Sequence, residues 1–94
     1  MSLKVIHDQE NKRFVTRINN GEATVSYEQP SATVLNFTHT FVPEEHRGQG
    51  IASELVKQAL AIVRKEELKV KPSCWFVKNY VEKHAGQYKD MIIS

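Results

Sequence analysis

Two closely spaced glycines mark the stretch of this sequence that is best suited to binding a phosphate. Gly48 and Gly50 lie between a segment of alternating apolar residues and a segment in which apolar residues recur every three or four positions. This change of period predicts a strand-to-helix turn. Glycine permits unusual backbone dihedrals and lets a ligand approach the free N–H groups that open the helix. Because those N–H groups lie at the positive end of the helix dipole, we expect the turn to favour a phosphate.

Other glycine-rich turns fit the same stretch less well. A P-loop requires a lysine after its last glycine, whereas Ile51, Ala52 and Ser53 follow Gly50. A dinucleotide-binding turn requires a third glycine where Ser53 stands, and it belongs to a parallel unit at the start of the fold. A glycine turn that only reverses the chain direction remains as the alternative to a phosphate site.

The segment Arg47–Ala52 resembles a known family signature. It fits the pattern (Gln/Arg)-x-x-Gly-x-(Gly/Ala) of the Gcn5-related N-acetyltransferases, and the preceding Val42-Pro43 is also similar to that family. In the family this turn holds the pyrophosphate of acetyl-CoA, so the resemblance implies acetyl-CoA as co-substrate and no metal. The implied coenzyme-binding residues are Phe41, Val42, Arg47, Gly48, Gln49, Gly50, Ile51, Ala52 and Asn79.

The same resemblance implies two catalytic residues. The short, single-domain branch of the family has a histidine ahead of the turn and a Pro-x-Cys on the last strand, matched here by His39 and Cys74. An imidazole can accept a proton from an incoming ammonium near neutral pH, although a core histidine bonded to the backbone is the alternative for His39. Cys74 has three possible roles: a buried small hydrophobe, a general acid for the CoA thiolate, or a nucleophile that takes the acetyl group. The family also has an Asn followed about two helical turns later by a tyrosine that protonates the departing thiolate. Asn79 matches the Asn, but Gly86 stands at the tyrosine position, and Tyr80 and Tyr88 are out of register.

The periodicity of the chain predicts an α/β fold with antiparallel strands first. Strands are expected at Leu3–His7, Arg13–Ile18, Ala23–Tyr27, Thr33–Val42 and Lys69–Phe76, with an Asn20-Gly21 hairpin turn and a further turn at Glu28–Ser31. On the fourth strand, alternation places His39 on the face of Leu35, Phe37 and Phe41 unless a bulge redirects it. An amphipathic helix begins at Ile51, and a short helix is expected at Val77–His84. With the resemblance, this is a minimal acyl-CoA N-acyltransferase fold, whose mostly antiparallel sheet is splayed at one parallel strand pair.

Length and composition limit the number of domains and the kinds of ligand that are expected. The 94 residues suit one domain, residues 1–94, and the single cysteine excludes an internal disulfide. A net charge of +2 with scattered cations argues against nucleic acid, and the histidines and cysteine lack zinc-ligand spacing. No signal peptide or membrane span is expected, which favours the cytoplasm. Trp75 and Phe76 are interpreted as core residues.

The predicted function is transfer of acetyl from acetyl-CoA to a primary amine on a small molecule or a protein. A non-catalytic acyl-CoA-binding or sensing module is the first alternative. A small interaction domain that uses the apolar tail, from Gln87 to Ser94, is the second; that tail packs either on the sheet or on a partner. The oligomeric state, the acceptor and the pathway are not encoded in these patterns.

Overall fold

Consecutive strands form the first half of the chain in the computed structural model, which describes residues 3–93. These strands are β1 (Val5–Asp8), β2 (Arg13–Ile18), β3 (Gly21–Ser31) and β4 (Val34–Phe41). Each strand pairs antiparallel with the next, because the short connections between them allow only this arrangement. The predicted meander is therefore confirmed, with strand ends that differ by a few residues.

The second half of the chain supplies the helices and the parallel strand. Helix α1 (Ile51–Lys65) crosses from β4 to β5 (Lys69–Pro72), and β5 pairs parallel with β4. Helices α2 (Trp75–Lys83) and α3 (Ala85–Tyr88) follow. The sheet order is β1-β2-β3-β4-β5, so the predicted architecture of antiparallel strands with one parallel pair is confirmed.

The core lies between one face of the sheet and α1. Helix α1 packs across β1, β2, β3 and β5. Its apolar stripe is buried, as the helical spacing predicts. The completely buried side chains on the helix are Leu55, Val56, Ala59, Leu60 and Val63. Their completely buried partners on the sheet include Phe14, Val25, Phe37 and Val70.

The C-terminal tail packs on the sheet of its own chain. Val70 of β5 forms a parallel bridge with Ile92, and its N–H donates to the carbonyl of Met91 at 2.8 Å. The Met91 side chain is buried. The sequence left open whether the tail packs on the sheet or on a partner, and the structure shows it on the sheet. Ser94 lies outside the described residues.

Two predicted turns lie at different residues. In the β2–β3 hairpin, Ile18 pairs with Gly21, so the two loop residues are Asn19 and Asn20, and the prediction of Asn20-Gly21 was wrong by one residue. Asn20 itself takes a positive φ of 65°, a conformation that asparagine tolerates. The turn expected at Glu28–Ser31 is instead the end of β3, where a pairing irregularity accommodates Pro30.

The predicted last strand, Lys69–Phe76, was too long. The strand ends at Pro72, and α2 begins at Trp75. Trp75 was wrongly interpreted as a core residue, since 76% of it is exposed. Phe76 is half-buried and packs against the core. Cys74 therefore lies at the first turn of a helix and not within a strand.

A bulge in β4 reverses the predicted alternation. Ser26 pairs with His39 and Tyr27 pairs with Phe37, so Thr38 is an extra residue in the ladder. Leu35 and Phe37 are buried as predicted. Beyond the bulge, His39 and Phe41 are exposed. The bulge redirects His39, which is the exception that the alternation allowed, whereas the placement of Phe41 on the buried face was wrong.

Strands β4 and β5 separate beyond the middle of β4. Their pairing runs from Val34 opposite Lys69 to Phe37 opposite Pro72 and then stops. The last link across the gap is the Cys74 N–H, which donates to the Phe37 carbonyl at 2.8 Å. Among residues 3–93, no strand pairs with the remaining part of β4 on its β5 side, and this separation positions the candidate site.

Candidate active site

The glycine turn has the left-handed backbone that its sequence suggests. Gly48 has φ +81° and Gly50 has φ +79°. A Cβ atom added at either position would meet no heavy atom within 4 Å, so the turn faces open space. Gly50 is the N-cap residue of α1, and Ile51 anchors the start of that helix in the core. The first N–H groups of a fifteen-residue helix are thereby presented to a cavity.

Two side chains hold the turn in place. The Nε of Arg47 donates to the carbonyl of Val42 at 3.0 Å, which ties the turn to the end of β4. The Nε2 of His46 donates to the carbonyl of Asn19 at 2.7 Å, which ties it to the β2–β3 hairpin. Within residues 3–93, the guanidinium of Arg47 forms no ion pair with a carboxylate, and its side chain lines the cavity.

A cavity of about 550 Å³ connects this turn to the gap between β4 and β5. Seven of the nine predicted coenzyme-binding residues line it: Phe41, Val42, Arg47, Gly48, Gly50, Ile51 and Ala52. The cavity wall is mostly apolar, and its polar side chains include Thr40, Arg47 and Ser53. Such a cavity suits a long ligand with a charged portion at the turn and an uncharged arm toward the gap.

The other two predicted coenzyme-binding residues lie outside this cavity. Gln49 is exposed and lines a small depression on the other side of the turn, next to Leu3. Asn79 is half-buried on α2 and lines an adjoining cleft. That cleft shares Gly50, Ser53 and Phe76 with the main cavity.

Cys74 lies at the gap between the separated strands. Its Sγ is 3.3 Å from the Oγ1 of Thr40, a distance within hydrogen-bonding range for sulfur. Cys74 lies at the edge of the core and is 9% exposed to solvent. Its backbone carbonyl accepts the N–H of Lys78 at 2.9 Å, the first hydrogen bond of α2. The thiol is therefore at the N-terminus of that helix.

His39 lines the cavity from β4 and is exposed. Among the side-chain hydrogen bonds of residues 3–93, none joins His39 to Cys74. The partner of the thiol is Thr40, the residue after His39. The structure thus places both predicted catalytic residues at the gap without a direct bond between them.

Sequence reasoning missed three residues of the site. Thr40 was assigned to the face away from the apolar one, and only the bulge at Thr38 turns it toward Cys74. Ser53 lines the cavity from the first turn of α1. Phe76 lines the cavity from α2. It was not predicted as a site residue because its segment was interpreted as a strand. The first-turn position of Ser53 is a signal that could have been used, because side chains there lie beside the phosphate-binding N–H groups.

One tyrosine, Tyr80, lies near the site. Burial, together with a hydrogen bond to Tyr88, raises the pKa of Tyr80 well above its usual value. Tyr80 lines the cleft next to Asn79 on α2 and not the main cavity. The raised pKa makes Tyr80 a weaker proton donor than an ordinary tyrosine, and Tyr80 lines a different cavity from the one that contains Thr40.

Two further findings concern other kinds of site. Within residues 3–93, no group of three or more His, Cys, Asp or Glu side chains is arranged to hold a metal ion. Over that same range, every helix is too short or too polar to cross a membrane.

Comparison with known proteins identifies the fold and the family. A profile of the family described as GCN5-related N-acetyl-transferase matches residues 13–91. Protein NATD1 of Homo sapiens is 36% identical over 84 residues, which covers 87% of this chain and 74% of that protein. Protein NATD1 of Danio rerio is 34% identical over 94 residues, which covers 97% of this chain and 86% of that protein.

A solved structure agrees with this assignment. The NMR solution structure of a GCN5-like protein from Staphylococcus aureus matches with a TM-score of 0.73 and 30% identity, covering 100% of this chain and 92% of the other. The fold is therefore that of the acyl-CoA N-acyltransferases. The chain belongs to the GCN5-related N-acetyltransferase family, and this membership supports acyl-transfer chemistry in general.

Proposed function

We propose that this protein transfers acetyl from acetyl-CoA to a primary amine. The observation that carries the proposal is the cavity that extends from the glycine turn to Thr40, whose Oγ1 is 3.3 Å from the Sγ of Cys74. At one end, two glycines with positive φ precede the N-terminus of α1, an arrangement that suits a phosphate. At the other end Thr40 lines the cavity, and its hydroxyl contacts the Cys74 thiol, which is not among the lining residues. Acetyl-CoA has a matching order of groups, with phosphates, an uncharged pantetheine arm and a thioester.

The turn would bind the pyrophosphate. Gly48 and Gly50 leave open space where side chains would otherwise stand, so the N–H groups of the turn are accessible. The dipole of α1 favours negative charge at this end. Arg47 adds a cation that is already oriented through its Nε bond to Val42. The residues present therefore fit the charged part of the coenzyme.

The unpaired part of β4 would bind the pantetheine arm. Beyond Phe37 no strand within the described part of the chain pairs with β4 on its β5 side, so the outward N–H and C=O groups of β4 can pair with an extended ligand. Pantetheine contains two amides that form such pairs. This arrangement leads the arm along β4 toward Thr40 and the thiol of Cys74.

The coenzyme supplies an acetyl thioester, and its transfer forms a C–N bond to the amine and breaks the C–S bond. His39 accepts the proton that the amine nitrogen loses, directly or through a water. Cys74 donates its thiol proton to the departing sulfur, and Thr40 holds the Cys74 sulfur at 3.3 Å. The proton held by His39 then returns to Cys74 through solvent, which restores both groups. Transfer is direct in this scheme, and no acetyl group is carried by the protein.

The acceptor is a primary amine that reaches the gap from solvent. His39 and Phe41 are exposed there, and no helix precedes β4 to enclose the acceptor within residues 3–93. An open site accepts amines at the end of a flexible chain. We therefore propose a protein N-terminus, a lysine side chain or a polyamine.

The test measures thiol release and acetylated product with a panel of these amines. Wild-type protein should release CoA in proportion to acetylated amine. Cys74→Ala and His39→Ala should each lower kcat by about 10²-fold or more while coenzyme affinity stays within a factor of about two. Ser73→Ala is the matched control, because Ser73 is exposed beside Cys74 and does not line the cavity; it should retain full activity.

Other outcomes identify the alternatives. Saturable acetyl-CoA binding without product from any amine would favour a non-catalytic acyl-CoA-binding module. A wild-type protein that gains one acetyl group in the absence of amine, when Cys74→Ala does not, would assign Cys74 as nucleophile and contradict direct transfer. Absence of both binding and turnover would favour a small interaction domain.

A further inference from the structure

The face of the sheet opposite α1 is open. Phe14 and Val25 face α1 and are completely buried, whereas their neighbours Val15 and Thr24 alternate to the other face and are partly exposed. Within residues 3–93, no residue of β2 or β3 on that other face is buried. The described part of the chain therefore leaves this face without a covering helix.

An apolar row crosses the open face. Strand pairing aligns four residues, one on each of the first four strands: Ile6, Val15, Thr24 and Phe41. Ile6 is 55% exposed and Phe41 is 44% exposed, so both ends of the row present a large apolar side chain to solvent. With about 4.8 Å between neighbouring strands, the row is about 14 Å long, which is the length of about four residues of extended peptide.

One end of this row lies at the candidate site. Phe41 lines the cavity, and so does His39, which is two residues earlier on the same strand and therefore on the same face. His39 pairs with Ser26, the neighbour of Thr24 on this face of β3. A ligand that lies along the row would therefore bring one of its ends next to the proposed base.

The charges beside the row favour an apolar ligand over a polycation. The carboxylates next to the row on this face are Asp8 and Glu22, and both contact Arg13. The Nε of Arg13 is 3.0 Å from the Oδ2 of Asp8, and its Nη1 is 3.7 Å from the Oε1 of Glu22. Arg17, opposite Glu22, is exposed and forms no ion pair among residues 3–93. A polyamine would therefore meet paired carboxylates and an unpaired cation on this surface.

We propose that the row binds the acceptor, and that the acceptor is an extended peptide segment with apolar side chains within about four residues of its reactive amine. The inference rests on the proposed function and selects a protein acceptor over a polyamine. The peptide lies across the strands from Ile6 to Phe41, with its amine beyond Phe41 and near His39. Burial of its apolar side chains against the row supplies the affinity.

The experiment measures acetyl transfer to two peptides that share the same free N-terminal residue. One peptide has leucine and the other has serine at alternate positions after that residue, so that one face of the extended peptide differs. Wild-type kcat/KM should be about tenfold higher for the leucine peptide than for the serine peptide, and it should be lower for spermidine than for the leucine peptide.

The double variant Ile6→Ser/Val15→Thr tests whether the row causes this preference. The ratio of the two kcat/KM values should fall to about two or less, because the apolar contacts are lost. Acetyl-CoA affinity and kcat/KM for the serine peptide should stay within a factor of about two, since neither residue lines the cavity.

Ile93→Ser is the matched control. It also removes a partly exposed isoleucine, but Ile93 donates its N–H to Val70 of β5, at the opposite edge of the sheet from β1. The tenfold ratio should remain in this variant.

Three results would overturn the assignment while leaving the proposed function intact: equal kcat/KM for the two peptides, a higher kcat/KM for spermidine, or a ratio that survives in the double variant. A wild-type dimer that the double variant dissociates, measured by light scattering, would assign the row to a second copy of the chain and would also overturn it. Failure of every amine to accept acetyl would instead contradict the proposed function itself.

Discussion

Gly50 shows how one residue shapes the phosphate turn. Its φ of +79° is a left-handed conformation, and an alanine there would be strained whatever the space around it. We expect Gly50→Ala to lower the free energy of unfolding by about 1 kcal/mol, because an L side chain disfavours this backbone. The added methyl group would also occupy part of the cavity. Acetyl-CoA affinity should therefore fall by about tenfold or more, measured by calorimetry.

The chain contains a matched control for this substitution. Gly86 in α3 has no positive φ, and an added Cβ there would meet no heavy atom within 4 Å. Gly86→Ala should leave acetyl-CoA affinity unchanged and keep or slightly increase stability, since alanine is the better helix former. Equal affinity of Gly50→Ala and wild type would show that the open space at the turn is not where the ligand binds.

The site residues differ in how well the sequence could predict them. The glycine turn is local, so its residues could be identified from a motif and its flanking periods. Thr40 could not be predicted as a site residue, because the direction of its side chain depends on the extra residue Thr38 in the pairing with β3. Alternation along a single strand contains no information about a bulge that pairing with another strand creates. The same bulge explains why His39 is exposed.

At the scale of elements, one ion pair joins α1 to the C-terminal tail. The Nη1 of Arg64, in the last turn of α1, is 2.7 Å from the Oδ2 of Asp90. The hydrogen bond from Arg64 lowers the pKa of Asp90 below its usual value. Because the folded-state pKa is the lower one, the pair stabilises the fold above the unfolded-state pKa. This contribution is lost as the pH falls through the folded-state value.

The pH dependence of Asp90→Asn tests this pair. The variant should be slightly less stable than wild type at pH 7, and the difference should disappear as the pH falls below about 4. The loss should be small and should decrease with added salt, because both side chains are exposed. Thermal unfolding across this pH range measures it.

Glu10→Gln is the control, since Glu10 is exposed and forms no ion pair within residues 3–93. It should match wild-type stability at every pH. A difference between Asp90→Asn and wild type that stays constant down to pH 2 would contradict the assigned role of the carboxylate charge.

The boundary between β5 and α2 could not be located from the secondary-structure propensities of its residues. Lys69–Phe76 was predicted to be one strand, yet only its first four residues form one. Pro72 lacks an N–H for the ladder, and the Cys74 N–H already donates to Phe37 across the gap. The helix begins immediately afterwards, which leaves Trp75 exposed. Long-range backbone pairing decides this boundary, so local composition could not predict it.

At the scale of the whole molecule, a single layer of core between the sheet and α1 supports the site. Leu60 is completely buried on α1. Leu60→Ala should lower the free energy of unfolding by about 2–5 kcal/mol, because it removes buried methyl groups and leaves a cavity. Chemical denaturation measures the loss.

Lys65→Ala on the same helix is the control, because Lys65 is exposed and should change stability by no more than about 0.5 kcal/mol. A loss below about 1 kcal/mol for Leu60→Ala would mean that α1 is packed less tightly than the structure shows.

The architecture was more predictable than the positions of individual residues. The change from a period of two to a period near 3.6 at Gly50, followed by one more apolar segment, indicates a helix that crosses over to a parallel strand. These patterns extend over many residues, so errors at strand ends leave the topology unchanged. The Cys74–Thr40 contact depends instead on a bulge and a strand end, each determined by one or two residues.

The most direct measurement of the central claim is an amide NMR titration of labelled protein with acetyl-CoA. The account predicts saturable shifts at the Arg47–Ala52 amides and at Thr40 and Cys74, since one ligand should span the cavity from the turn to the gap. Gly86 should not shift, because it lies outside the cavity. Amides at Arg47–Ala52 that do not move at millimolar acetyl-CoA would contradict the coenzyme site, and the shared fold would then not extend to shared chemistry.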